Sequence, residues 1–195
     1  GEVDPAAIDA LFHGDSDEPV QPQRQAVAQA PGKRLFVLTG GPGTGKTTTV
    51  VKLLALLHQQ ALDRAQPFVT LLAAPTGKAA ARLQTSINSS MDALPISSAL
   101  RATLPTQVKT LHRLLGSQMH SNHCRHDRHH PLVDDLVVVD EASMINIDMM
   151  LALLEALPTQ CRLILVGDKD QLASVEAGAI MADLCQGADT DAYDT

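Results

Sequence analysis

The stretch Leu35–Val50, LFVLTGGPGTGKTTTV, changes character twice. Its first five residues are apolar or β-branched and favour extended backbone. Gly40, Gly41, Gly43 and Gly45 then crowd four glycines into six positions, where backbone can take positive φ and approach closely without Cβ clashes. From Lys46 the pattern turns helical. A strand, a glycine loop and a helix in that order start a layered α/β domain, because the helix must return across the sheet it has just left.

The rest of the chain repeats that alternation. Apolar runs recur at 35–39 (LFVLT), 68–74 (FVTLLAA), 135–140 (DLVVVD) and 162–167 (RLILVG). They are apolar throughout rather than alternating, as in strands covered on both faces. Helical patterns lie between them, at Lys46–Leu62, Lys78–Ile87 and Ile145–Leu157, the last closed by Pro158. The expected fold is a parallel sheet with right-handed crossovers and helices on both faces, an αβα P-loop architecture, with ligands at the carboxyl ends of the strands. Residues 88–109 and 116–131 read as polar connections.

A chain of 195 residues, 45% hydrophobic, buries one sizeable core. Phe12, Phe36, Phe68 and Tyr193 are its only aromatics, so stacking platforms for nucleobases are scarce and any nucleic acid must be gripped by its backbone. No run approaches the roughly 20 apolar residues of a membrane span, and the acidic N-terminus lacks a signal-peptide charge pattern. We therefore expect a cytoplasmic protein. Cys124, Cys161 and Cys185 are odd in number and far apart, as ordinary reduced thiols are. Gly1 in place of Met and an aperiodic end, GADTDAYDT, lead us to expect a piece of a longer protein.

Gly40-Gly41-Pro42-Gly43-Thr44-Gly45-Lys46-Thr47 matches G-x-x-x-x-G-K-[ST] between a strand and a helix, the context that the motif requires. Backbone N–H groups of such a loop, with Thr48 just behind it, cradle phosphates, aided by the positive end of the helix. Lys46 is placed to reach the β and γ phosphates of ATP, and Thr47 to ligate Mg²⁺. Asp140 and Glu141 follow LVVV, on a strand expected beside the first. Asp140 suits the Mg²⁺ shell and Glu141 activation of an attacking water, which favours hydrolysis over transfer to a small molecule. One strand later Gly167, Asp168 and Gln171 reach a strand end, where Gln171 can touch the γ-phosphate or the water.

The net charge of −7 speaks against a nucleic-acid partner until its distribution is read. Residues 1–20 hold six acids and 181–195 hold four, with no Lys or Arg in either; the remainder holds 15 basic against 12 acidic residues. Between Thr76 and Arg113 five cations (Lys78, Arg82, Arg101, Lys109, Arg113) face Asp92 alone.

The ordered set GGPGTGKT, APTGKAAARL, KTLHRLLG, DEASM and LVGDKDQLASVEAGA resembles superfamily 1 DNA helicases, and among them the RecD family, the alpha subunits of exodeoxyribonuclease V, over about Gln23 to Cys185. Single-chain helicases of this kind show a proline and a glycine near Ala173 and Glu176, and QLASVEAGAI departs from that. The resemblance implies the first RecA-like motor domain of a 5′ to 3′ DNA helicase in double-strand break processing. It implies that Gln23 reads adenine and that Pro75, Thr76, Gly77, Lys78, Thr110 and His112 contact single-stranded DNA. It also implies the beta and gamma subunits as partners, and a second RecA-like domain supplying arginine fingers. After Gly178 there is no Lys or Arg, so this piece is expected to bind ATP·Mg²⁺, to hydrolyse it slowly and to unwind nothing.

Residues 21–186 are expected to form the motor domain, 1–20 an acidic tail or partial helix and 187–195 an acidic, disordered tail. His120, His123, Cys124, His126, His129 and His130 fall close together but fit no zinc-pair spacing, and interleaved Arg125, Asp127 and Arg128 suit an exposed loop. Three other readings stay open on the sequence: a stand-alone helicase of the same kind, a P-loop ATPase or kinase without a DNA role, and an interaction module whose nucleotide site only stabilises the fold.

Overall fold

The computed structural model describes residues 27, 34–40, 45–116 and 124–167. Five strands form one parallel sheet: β1 (Leu35–Thr39), β2 (Thr70–Ala74), β3 (Val108–Thr110), β4 (Leu136–Val139) and β5 (Arg162–Gly167), in the spatial order β1-β5-β4-β2-β3. The helices are α1 (Lys46–Asp63), α2 (Gly77–Ala93), α3 (Ser98–Thr103), α4 (Leu111–Leu115) and α5 (Ile147–Ala156), with a 3₁₀ turn at Ala142–Met144.

Strand alternation splits the core into two layers, one on each side of the sheet. Leu136 and Val138 of β4, with Ile164 and Val166 of β5, face α1, α2 and α3. Val137, Val139, Leu163 and Leu165 face α4 and α5. Each fully buried aliphatic side chain contributes about 1.5–3 kcal/mol, and the β4–β5 pair is buried on both faces, which is why its sequence shows no polar alternation. α1 is covered as thoroughly: every residue from Thr49 to His58 is buried.

One expectation fails in an instructive way. β4, which carries Asp140, is not beside β1; β5 lies between them, paired to β1 from Leu35↔Leu163 to Thr39↔Gly167 and to β4 from Leu136↔Arg162 to Val139↔Leu165. Burial decides the order. The RLILVG strand is buried along nearly its whole length and takes an inner place, whereas β1 keeps partial exposure.

The second correction concerns residues 88–109. They are not a simple polar connection: α2 continues to Ala93, α3 follows, and β3 adds a strand beside β2 through Leu72↔Val108 to Ala74↔Thr110. Met91, Leu94, Leu100 and Leu104 are buried. β3 is held partly by a side chain, since Gln84 of α2 accepts from the Val108 N–H at 2.8 Å and donates to the Thr106 carbonyl at 2.9 Å. Three residues fastened this way leave no periodic trace in sequence.

Candidate nucleotide site and its rim

Gly45, the last glycine of the loop, sits at φ 73°, in the left-handed region that glycine tolerates, and so turns the chain into α1. Thr49 returns its hydroxyl to the Gly45 carbonyl at 3.0 Å, closing the first turn. Lys46 donates from Nζ to the Gly40 carbonyl at 2.6 Å, which holds the ammonium against the end of β1. Gly41, Pro42, Gly43 and Thr44 lie outside the described residues, as do Gln23, Asp168 and Gln171. Thr48 is half-buried on the first turn of α1.

From β4, across the width of β5, come Asp140 and Glu141. The Asp140 N–H donates to the Ala73 carbonyl of β2 at 3.0 Å, so the ladder fixes its backbone. Thr47 and Asp140 line one small cleft with Val50, Leu72, Val138 and Val166. Burial pushes the Asp140 carboxyl up from its usual range; a backbone hydrogen bond at Glu141 opposes this, the Glu141 charge reinforces it, and Lys46 and Arg82 pull it back down. Thr47 and Asp140 therefore share one cleft, and Lys46 is near enough to act on the Asp140 charge, although their strands are not neighbours.

Glu141 takes φ 53°, unusual for a residue with a side chain. Its carboxylate lies 3.8 Å from the guanidinium of Arg82 on α2. In the sequence Arg82 stands only in the segment APTGKAAARL and in the basic balance, with no site role. Its i, i+4 spacing from Lys78 was the available signal, and only the fold shows that it reaches the acid. Ser143, two residues on, is buried with no hydrogen-bond partner for its hydroxyl.

The same sheet edge gathers the residues picked out as DNA contacts. Ala74 is in register with Thr110, which brings Pro75–Lys78 and Thr110–His112 together from positions more than thirty residues apart. Thr76 caps α2, accepting from the Ala79 N–H at 3.1 Å, and Thr110 caps α4, accepting from Arg113 at 3.3 Å. Thr76, Gly77, Lys78 and His112 are exposed and Pro75 is half-buried, so His112 is not a core histidine. Lys109, Arg113 and Arg82 are exposed as well, while Arg101 is engaged by Asp92 at 2.8 Å.

Elsewhere the cysteine and histidine readings divide. Cys161 is buried, with its thiol pushed up to about 11 by that burial, and Cys124 is half-buried; both are free thiols. In the 124–130 loop the N–H groups of His129 and His130 donate to Asp127 at 2.8 and 2.9 Å. Among the described residues no group of three or more His, Cys, Asp or Glu is suited to hold a metal ion.

Comparison with known proteins adds a family to this geometry. The family model for the AAA domain matches residues 23–177. The chain belongs to the AAA domain family. This AAA domain is 54% identical over 167 residues to the RecBCD enzyme subunit RecD of Mycolicibacterium smegmatis, covering 85% of the chain and 30% of that protein. It is 39% identical over 168 residues to the ATP-dependent RecD2 DNA helicase of Deinococcus radiodurans, covering 86% of the chain and 20% of the relative. Among solved structures it superposes on the RNA helicase Prp28 from Chaetomium thermophilum bound to ADP, with a TM-score of 0.52 at 19% identity over 84% of the chain and 43% of the other. That likeness concerns the α/β fold. The chain thus spans about a third or less of the relatives' length. No helix among the described residues is long and apolar enough to cross a membrane.

Proposed function

We propose that this AAA domain is the first RecA-like motor domain of a cytoplasmic, ATP-dependent 5′ to 3′ DNA helicase of the RecD kind, working as the alpha subunit of exodeoxyribonuclease V with beta and gamma partners. One arrangement carries the reading: Thr47 and Asp140 line a common cleft, and the candidate DNA segments stand at the ends of the next two strands, β2 and β3, along the same rim.

The donor set fits a magnesium nucleotide. A hydroxyl and a carboxylate made costly by burial suit a hard cation. When bound, Mg²⁺ neutralises charge on the β and γ phosphates. Lys46 binds the phosphates and Gly45 gives them room. Asp140 with Thr47 positions the cation shell. Glu141 takes the proton of the attacking water, and Gln171 orients that water. Lys78, Lys109 and Arg113 neutralise the DNA backbone, which makes binding weaken steeply with salt.

Hydrolysis at full rate needs charge stabilisation from the second motor domain, where an arginine finger is worth roughly 10³ to 10⁵ in rate. The 195-residue chain is therefore expected to bind ATP·Mg²⁺ and turn it over slowly. The test is the ATPase rate of the full-length subunit with and without a single-stranded oligonucleotide. Stimulation that Glu141→Gln abolishes is expected. Equal rates with and without DNA would remove the DNA motor and leave a plain P-loop ATPase.

A further inference from the structure

α5 is apolar on two sides. Met150, Leu153 and Ala156 turn inward to the core. Ile147, Leu151 and Leu154 face outward at 44, 57 and 47% exposure, and Met144, just before the helix, stands at 55%. Scattered exposed aliphatics are ordinary, but a helix apolar all round is normally covered all round. Within the helix Ile147, Leu151 and Leu154 are spaced 4-3, one repeat of the seam by which helices pair, and Met144 adds to the patch from the turn before it. Asp148 and Glu155, each one position beyond a seam residue and seven apart, lie exposed along the same flank. Neither is in an ion pair with a described residue.

We propose that the outer face of α5 seats an amphipathic helix of another protein chain, one that carries Lys or Arg beside its own apolar seam. Charge selects this occupant. A second copy of the same chain, related by a two-fold axis with antiparallel helices, sets the acidic flank against itself, and like charges repel. An anionic membrane surface is disfavoured by the same two acids. Nucleotide binding by Lys46 and Thr47 is not needed for this docking, so the two readings fail separately.

The probes are two synthetic three-heptad helices with Leu at the seam, one flanked by Lys and the other by Glu, titrated against the 195-residue chain by fluorescence anisotropy. The Lys-flanked peptide is expected to bind roughly tenfold more tightly, the sum of two attractions gained and two repulsions avoided. In the Asp148→Lys/Glu155→Lys variant the preference should reverse. Leu151→Asp should abolish binding while the melting temperature holds. Equal binding of both peptides, or none, overturns the proposal. So does a concentration-dependent dimer in sedimentation that Leu151→Asp dissolves, which would assign the face to a second copy. A collapse of the melting temperature in Leu151→Asp, with no charge preference in the parent chain, would show that the chain's own residues cover the stripe.

Discussion

Asp140 is held partly out of water at the end of β4, and its carboxyl titrates above the usual range because burial disfavours the charged form. A carboxyl raised in this way favours the fold while protonated, below its unfolded-state value, and that contribution is lost as the pH rises through its folded-state value. Above that value, without nucleotide, the ionised group therefore weakens the fold. Asp140→Asn is expected to raise the melting temperature by a few degrees at pH 7, with the gain shrinking as the pH is lowered into the carboxylate range; thermal melts of both proteins across that range check it. The same substitution should weaken magnesium-dependent nucleotide binding, because the buried charge that destabilises the empty domain is what a cation would meet. An Asp140→Asn protein no more stable than its parent at pH 7 would show that the carboxylate is better solvated than its position implies.

At the scale of elements, α1 and β2 are latched by His58, whose ring nitrogen lies 3.0 Å from the Thr70 hydroxyl and whose ring makes a T-shaped pair with Phe68, 5.1 Å between centroids. Burial lowers the His58 pKa, and the Asp135 charge pulls it partly back. A lowered imidazole contributes stability above its ordinary value of 6.5 and loses it as the pH falls through and below that value, because the unfolded chain then binds the proton more readily. Thr70→Val keeps the volume and removes the partner, leaving a buried ring nitrogen unpaired, and should cost about 1–3 kcal/mol by denaturant titration at pH 7.5. A cost below a few tenths would mean that the latch is made by packing on Phe68 alone. Elements also explain what was hard to read beforehand. β3 lies at the sheet's edge beside β2, so three residues and a glutamine side chain suffice to hold it, and no run of apolar residues announces it. Arg82 belongs to the same class: its place over Glu141 depends on how α2 lies across the sheet.

For the whole molecule, Lys46 and Thr47 at one strand end and Asp140 two strands away are gathered at one rim, so a nucleotide bound there would tie α1 to β4 across β5. Ligand that binds only the folded state stabilises it by about 2.7 kcal/mol at a hundredfold excess over Kd, which for a domain of this size is a rise of roughly 5–10 °C. ATP with Mg²⁺ is expected to raise the melting temperature by that order, EDTA to remove most of the shift, and Lys46→Ala to abolish it while leaving the nucleotide-free melt near its original value. An unchanged shift in Lys46→Ala would place nucleotide elsewhere. The sequence by itself determined the local grammar: the glycine turn at Gly45, the strands that are apolar on both faces, and the helix start at Lys46, with the second helix placed one residue late at Lys78. Those follow from short-range backbone sterics and periodicity, which residues a few positions apart already express. Only the tertiary structure decided that β5 separates β1 from β4, that Ala74 and Thr110 bring two distant basic segments together, and that Arg82 reaches Glu141. Strand order is set by which faces can all be buried at once, a property of the whole chain that no single segment carries.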